Sequence, residues 1–361
     1  MKRFKQNIES TMNSEKNDSF LSFFLYILSL IYGTILQFRA VLYKKKILRP
    51  ERMPCKVISI GNITAGGTGK TPVTVLLAEM LDTHGIKPVI ISRGYKGKAE
   101  KTGGIVSNGR EILMSSAKSG DEPFMMAQRL KNIPVIVGRN RIKSGHLAVR
   151  HFNPDLILLD DGFQHLKLKT DINIVLIDSS RPFGNNHIIP RGMLREPLSA
   201  LSRGDIFIFT RFNGQNLFSH RIIKKFAKNK PVFTSCHIPY IYKIINTTNS
   251  NLQADIKGAG AVAFSGIAKN EDFLETIKGF GCSIIKSFGF PDHHPYSDKD
   301  INTIKNTTKK VHADILITTE KDYARMDPNI SWTVPLVVIG INISINEKAS
   351  FFKLILSALD N

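Results

Sequence analysis

The chain has 361 residues, and 42% of them are apolar, which is enough for about two domains with a sizeable core. Its formal net charge of +20 indicates anionic partners, such as nucleic acid, an acidic membrane surface or phosphorylated substrates. The only three cysteines, Cys55, Cys236 and Cys282, are too widely spaced for a disulfide framework or a zinc ribbon, so a reducing cytosolic compartment fits best.

The N-terminus combines a polar stretch with an apolar segment. Residues 1–18 are polar and are predicted to be disordered, whereas residues 19–46 form an apolar helix with a basic end. Such a run nearly suffices to span a bilayer, but Gln37 and Arg39 interrupt its second half. A membrane span, an interfacial helix and a buried core helix remain open. Its aromatic residues and terminal lysines favour an interfacial helix on an anionic cytoplasmic leaflet.

Alternating strands and helices follow. The predicted strands of residues 47–220 are almost continuously apolar, which indicates burial on both faces of a mostly parallel sheet. We therefore predict a doubly wound α/β domain of the P-loop NTPase type. Residues 221–346 predict a second, smaller α/β domain, and residues 347–361 predict a C-terminal helix that can pack back on the first domain.

The strongest local motif is a glycine-rich loop between a predicted strand and a predicted helix. Its backbone N–H groups are expected to bind the phosphates of ATP, with Lys70 at the β- and γ-phosphates and the Thr71 hydroxyl on Mg²⁺. The strict Walker spacing has glycine where this chain has Thr64. The predicted nucleotide-binding residues are Thr64, Ala65, Gly66, Gly67, Thr68, Gly69, Lys70 and Thr71.

Two adjacent carboxylates end another predicted strand. Asp160 and Asp161 follow the apolar run that starts at Asp155, as expected for the magnesium-associated half of a nucleotide site. Neighbouring carboxylates repel each other unless a cation lies between them. Both are therefore predicted Mg²⁺ ligands, although at least one could instead cap a loop.

Asp121 has two interpretations. Its position ahead of Pro123 is typical of a helix N-cap. A carboxylate that accepts the proton of an attacking hydroxyl is also the usual device of a kinase. The sequence leaves both open.

Adjacent histidines occur between two prolines, at His293 and His294. Core packing does not explain this pair, and no second cluster of metal ligands lies nearby in the sequence. We expect a histidine that tunes a catalytic carboxylate, or that lines the substrate cleft from the second domain.

Several basic residues follow predicted strand ends, where open α/β sheets bind their ligands. Their convergence predicts the binding of phosphate groups. These residues include Arg93, Arg139, Arg141, Arg181, Arg191 and Arg195.

In this order the motifs resemble the tetraacyldisaccharide 4'-kinase family. The matching strings run from Gly61 to Asp322 and are GNITAGGTGKTP, SRGYKG, GDEP, VGRNR, LDDGFQH, LIDSSRPFG to RGMLREP, AFSGIAKNEDF, FPDHHPYS and TTEKD. The ordered set is far more specific than any one motif.

The resemblance implies phosphorylation of the 4'-hydroxyl of a tetraacylated glucosamine disaccharide 1-phosphate by ATP. It implies two α/β lobes with the site between them, at the cytoplasmic face of a bacterial inner membrane. It also implies that Asp121 is the base, with one of His293 and His294 as its partner. It places His165, Arg195 and Glu196 near the substrate or nucleotide. Together with Arg93 and Arg191, which follow predicted strand ends, these are the predicted substrate-binding residues.

Two alternatives come from other classes. A ParA- or MinD-like ATPase switch shares part of the loop, but it requires a lysine where this chain has Ala65. A basic nucleic-acid-binding NTPase lacks any supporting motif. The expected partners are the acylated disaccharide lipid and an anionic membrane surface, with no nucleic acid and no obligate protein partner.

Overall fold

The computed structural model describes residues 11–12, 20–212, 214, 217–245 and 256–360. Nearly all of the predicted disordered segment, residues 1–18, lies outside them. The apolar runs identified in the sequence form the strands of a first lobe. These strands are β1 (Lys56–Asn62), β2 (Pro88–Ser92), β3 (Gly104–Ser107), β4 (Val135–Val137), β5 (Leu156–Asp160), β6 (Ile172–Asp178) and β7 (Ile206–Thr210).

The first-lobe sheet is parallel in all its pairs except β3 with β4. Its spatial order is β7-β6-β1-β5-β2-β4-β3, so the strand before the glycine-rich loop lies between β5 and β6. Helices cover both faces. The helices before β8 are α1 (Phe20–Lys44), α2 (Lys70–Thr83), α3 (Ser116–Ser119), α4 (Asp121–Arg129), α5 (Arg141–Phe152) and α6 (Leu217–Phe226).

A second lobe repeats the α/β arrangement on a smaller scale. Its parallel strands form two hydrophobic clusters of their own, one on each face. Its elements are β9 (Gly260–Ser265), α7 (Asn270–Gly279), β10 (Ser283–Gly289), α8 (Asp298–Lys310), β11 (Ile315–Thr319), α9 (Glu320–Tyr323) and β12 (Leu336–Ile345). The predicted fold class, a P-loop-type α/β domain with a second α/β unit, is confirmed.

One long strand joins the two lobes. β8 (Val232–Ile245) begins as a parallel partner of β7 and continues as an antiparallel partner of β12. The twelve strands therefore form one hydrogen-bonded sheet, in which β8 and β12 make a two-stranded ribbon between the lobes. The exact boundary at residue 220 stays a prediction.

The C-terminal helix, α10 (Lys348–Asp360), packs against the first lobe although it follows the second-lobe strands in sequence. Phe351 and Ile355 are fully buried in the same cluster as Leu77 of α2. The end of the chain is thus part of the core under the glycine-rich loop.

Helix α1 touches the first lobe along a narrow stripe. Only Ser22, Leu25, Ser29 and Gly33 are buried on it, which is one face of a helix with 3.6 residues per turn. The other apolar side chains are exposed, so the buried-core interpretation is wrong. Among the described residues, α1 is the one helix long and apolar enough to cross a membrane.

Candidate active site

The glycine-rich loop lies between β1 and α2, where backbone conformation demands glycine. Gly66 has φ 113° and Gly69 has φ 83°, values that other L-residues rarely adopt. Gly69 is the N-cap of α2, so the first N–H groups of that helix have no partner within it and point towards an anion site.

The start of the loop is held by the segment that contains Arg191 and Arg195. Ala65 donates its N–H to the Met193 carbonyl at 2.7 Å, and Thr64 forms an isolated β-bridge with Leu194. The two stretches are more than a hundred residues apart in sequence, yet they run side by side just beyond the end of β1.

Lys70 points towards the acidic pair. Its Nζ lies 3.3 Å from Asn62 Oδ1 and 3.6 Å from Asp161 Oδ1. Thr71 is buried in the next position of the helix. The structure therefore brings the lysine of the loop to the acidic end of β5.

Asp160 is buried at the end of β5. Its carboxylate accepts hydrogen bonds from Ser92 Oγ at 3.1 Å and from Thr74 Oγ1 at 3.3 Å. Burial and the negative charges of Glu122 and Asp161 raise the pKa of Asp160 to about 7. A third carboxylate therefore faces the pair from α4, and the sequence analysis did not include it.

Asp161 has the opposite electrostatic environment. It adopts a left-handed conformation with φ 56°, which turns its carboxylate towards Arg195 Nη1 at 2.8 and 2.9 Å. Burial raises the pKa of Asp161, but the charges of Lys70 and Arg195 outweigh burial and lower it to about 2. The pKa values of these two adjacent aspartates are therefore shifted in opposite directions.

This donor set fits Mg²⁺. The ion prefers oxygen ligands and usually takes one or two carboxylates, with waters and substrate phosphates completing the shell. Asp160, Asp161 and the Thr71 hydroxyl provide such oxygens, and a cation would offset the repulsion that raises the pKa of Asp160. No cluster of three or more His, Cys, Asp or Glu side chains poised for a metal occurs among the residues that the structure describes.

Asp121 is the first residue of α4, and its carboxylate does not cap the helix. The N-cap is Gly120, with φ 90° and no side-chain capping bond, so the N-cap interpretation of Asp121 is wrong. Instead, Asp121 Oδ2 accepts from His293 Nδ1 at 2.8 Å and from Arg325 Nε at 2.6 Å. Its Oδ1 accepts from Ser116 Oγ at 3.1 Å.

The two histidines have different partners. His293 lies in a left-handed conformation, with φ 63°, and contacts Asp121 across the cleft. His294 Nε2 lies 3.0 Å from Asp300 Oδ2, within the second lobe, and its ring stacks on Phe290. Of the pair, His293 is therefore the one that meets the candidate base.

The residues predicted to bind the substrate are not all equally accessible. Arg93 is half-exposed and pairs with Glu100 at 2.7 Å. Arg191 is fully buried, and its Nη1 donates to the Thr11 carbonyl at 2.8 Å. Glu196 is buried as well and accepts both of its hydrogen bonds from Arg203.

His165 lines a basic cavity beside the site. Burial and the nearby charge of Arg141 lower the pKa of His165 to about 4, so the ring is neutral at ordinary pH. Its buried Nε2 has no hydrogen-bond partner among the described residues. The cavity has a volume of about 380 Å³ and is lined by Lys101, Arg139, Asn140, Ile142, His165 and Lys167.

Further ion pairs join the lobes around the site. Lys321 Nζ lies 3.2 Å from Glu122 Oε1, and Lys269 Nζ lies 3.4 Å from Asp178 Oδ2. These two lysines and Arg325 were not among the site residues predicted from the sequence. Lys269 and Lys321 lie within quoted motifs, but a lysine after a strand cannot be distinguished in sequence from a solvated one.

Comparison with known proteins gives one consistent family. The family model described as tetraacyldisaccharide-1-P 4'-kinase matches residues 21–360. The chain is 36% identical to a tetraacyldisaccharide 4'-kinase from Desulfatibacillum aliphaticivorans, over 97% of both chains. A solved structure of LpxK from Aquifex aeolicus in complex with ATP has a TM-score of 0.74 at 29% identity, covering 94% of this chain and 99% of that one. MinD from Pyrococcus horikoshii covers 50% of this chain at 15% identity, and its TM-score of 0.29 is too low to support a switch-like alternative.

Proposed function

Because this chain belongs to the tetraacyldisaccharide 4'-kinase family, we propose that it transfers the γ-phosphoryl group of ATP to the 4'-hydroxyl of a tetraacylated disaccharide 1-phosphate. The resemblance found in the sequence and the matched family model agree on this activity.

The nucleotide phosphates bind at the N-terminus of α2. The left-handed glycines of the loop and the unpaired N–H groups of the helix provide donors for phosphate oxygens. Lys70 supplies a positive charge where negative charge develops during transfer. The Lys70 Nζ lies 3.6 Å from Asp161 Oδ1, so the lysine stands beside the carboxylates that are proposed to hold Mg²⁺.

Mg²⁺ would be held by Asp160, Asp161 and the Thr71 hydroxyl, on the grounds of their oxygen donors. When bound, the ion neutralises charge on the β- and γ-phosphates. Arg195, which pairs with Asp161 at 2.8 Å, would hold the orientation of this carboxylate.

Asp121 is proposed as the base that accepts the proton of the 4'-hydroxyl. Its Oδ2 is occupied by His293 and Arg325, so Oδ1 is the oxygen that faces an incoming hydroxyl. In a loose phosphoryl-transfer transition state the hydroxyl proton leaves late, and orientation of the base matters more than its strength.

The lipid substrate is proposed to reach the site from a membrane surface. The exposed apolar side chains of α1 support partial insertion at the cytoplasmic face of the inner membrane, and the lysines at its end support contact with anionic headgroups. Arg39 of α1 donates to the Gln164 carbonyl at 2.9 Å, next to the acidic pair. The basic cavity around His165 supports binding of the 1-phosphate.

The observation that carries the proposal is the convergence of Lys70, the acidic pair and Asp121 at one cleft between two lobes. The test is incubation of the purified full-length chain with ATP, Mg²⁺ and the disaccharide lipid. We expect a mass gain of one phosphate at the 4'-hydroxyl, which Lys70→Met slows by about 10²- to 10³-fold. Hydrolysis of ATP without a phosphorylated lipid would contradict the proposal and favour an ATPase switch.

A further inference from the structure

Arg325 approaches the candidate base from the opposite lobe. It follows α9 in the second lobe, and its side chain is only 5% exposed. Its Nε donates to Asp121 Oδ2 at 2.6 Å, while its Nη1 donates to Asp322 Oδ1 and to the Gly266 carbonyl, each at 3.0 Å. We propose that Arg325 is a positioning residue that fixes the orientation of the Asp121 carboxylate across the cleft. This inference rests on the proposed kinase function.

The geometry separates the two oxygens of Asp121. Both donors from the second lobe, His293 and Arg325, contact Oδ2. Within the described part of the chain, Oδ1 accepts only from Ser116 Oγ, which belongs to the first lobe and can rotate away. Two donors on one oxygen fix the plane of the carboxylate and direct the other oxygen towards a substrate hydroxyl.

The backbone of Gly266 holds both donors, Arg325 and His293, in place. Its carbonyl accepts from Arg325 Nη1 at 3.0 Å and from the His293 backbone N–H at 3.2 Å. Its own N–H donates to Asp322 Oδ1 at 2.9 Å. A Cβ at this position would lie 3.1 Å from the Pro291 carbonyl oxygen, so the close approach leaves little room for a side chain.

A permanently charged donor suits this role better than a second histidine would. Burial raises the pKa of Asp121, and the hydrogen bond from His293 together with the charge of Arg325 lowers it to about 2. Asp121 therefore stays ionised at any physiological pH. Arginine keeps its charge throughout that range, so one of the two donors to Asp121 Oδ2 is always a cation.

Stability alone does not account for Arg325. Its Nη2 is buried without a hydrogen-bond partner among the described residues, which is a cost to the fold. Asp322 is fully buried, yet it also accepts from Tyr296 Oη at 2.9 Å and from Thr319 Oγ1 at 2.6 Å. Asp322 thus keeps donors when Arg325 is removed, whereas Asp121 loses one of its two donors from the second lobe.

Other charges near the pair compensate one another. On α4, Glu122 pairs with Lys321 of the second lobe at 3.2 Å. Asp292 lies 4.0 Å from the same lysine and 3.7 Å from His293 Nε2. With Asp322 paired as described, Arg325 and His293 are the groups whose removal changes the environment of Asp121 most directly.

The test compares Arg325→Gln with two other variants, Arg325→Lys and Tyr296→Phe, in the lipid phosphorylation assay. Arg325→Gln is expected to lower kcat about 10²-fold with little change in the KM for ATP, because a misplaced catalytic group costs about that much. The acid limb of its pH–kcat profile should move to higher pH, because only His293 then opposes the effect of burial on the pKa of Asp121. Arg325→Lys should keep the acid limb near the wild-type position while restoring part of kcat.

Tyr296→Phe is the structural control, because it removes a donor from Asp322 without touching Asp121. If Tyr296→Phe lowers kcat as much as Arg325→Gln, or if the acid limb of Arg325→Gln does not move, the positioning role is overturned. If Arg325→Gln does not fold, a wild-type kcat in Arg325→Lys overturns the role, because lysine lacks the fork that orients the carboxylate. Absence of phosphorylated lipid with the wild-type chain would refute the proposed function itself, which separates the two failures.

Discussion

Replacement of Asp121 by asparagine separates its structural contribution from its catalytic one. The carboxylate is mostly buried and its pKa falls from 3.8 to about 2, because the contacts with His293 and Arg325 outweigh burial. A shift of that size corresponds to about 2 kcal/mol of stability at neutral pH. Since Asp121 does not cap α4, asparagine offers no compensation there, and we expect Asp121→Asn to unfold at a lower temperature than the wild type.

The pH dependence of this difference has a definite sign. A carboxylate with a lowered folded-state pKa stabilises the fold above its unfolded-state value of 3.8, and the stabilisation is lost as pH falls through about 2. The stability gap between wild type and Asp121→Asn should therefore be full near pH 7 and about half as large near pH 3. Urea titrations at both pH values measure the gap.

The catalytic loss should be much larger than the stability loss. Asparagine cannot accept the hydroxyl proton, so kcat for lipid phosphorylation should fall by about 10²- to 10⁴-fold, equivalent to about 3 to 5 kcal/mol of transition-state stabilisation. Binding of ATP should change little, because the loop at α2 is untouched. Glu275→Gln provides the control, as it neutralises an exposed carboxylate on α7. A kcat for Asp121→Asn within about threefold of the control would refute the role of base.

Three further predictions concern the nucleotide, the membrane and the lobe interface. Lys70→Met should lower kcat by about 10²- to 10³-fold while the thermal midpoint stays close to wild type, and unchanged turnover would contradict the assignment of the loop. Phe24 and Ile35 are both more than half exposed on α1. Replacing both by serine should weaken sedimentation with anionic vesicles about tenfold or more but spare activity on detergent-dispersed lipid. Sedimentation equal to that of the wild type would exclude this face as the membrane contact. Burial raises the pKa of Glu320 to about 7, although Arg129 opposes the shift, so wild-type stability should fall as pH rises from about 4.5 through 7. The thermal midpoint of Glu320→Gln minus that of the wild type should therefore be larger at about pH 8 than at about pH 5. The same difference at both pH values would show that Glu320 does not titrate.

Much of the first lobe could be read from the sequence because its signals are local. Buried parallel strands appear as continuous apolar runs, and a glycine-rich loop after such a run needs no tertiary information to be recognised. The topology then brings strand ends together, which explains why Lys70 and Asp161 were correctly expected at one site.

The contacts across the cleft could not be predicted in the same way. Arg325 and Asp121 are 204 positions apart, and nothing in the residues around either one indicates the other. The N-cap interpretation of Asp121 failed because Gly120 adopts a conformation that ends the preceding turn, and a residue pattern does not report φ. Likewise, the buried Arg191 has the same sequence context as an exposed phosphate-binding arginine.

The ribbon of β8 and β12 has a mechanical consequence. Because the two strands are hydrogen-bonded along most of their length, the lobes cannot swing freely as they would on a loose linker. Any rotation of one lobe against the other must therefore twist this two-stranded ribbon. Gly340 pairs with Tyr240 across the ribbon, and a Cβ at Gly340 would lie 2.7 Å from the Tyr240 ring. The ring therefore leaves no room for a side chain at this position. A larger residue at Gly340 would have to displace the Tyr240 ring, and with it the packing of the ribbon that joins the lobes.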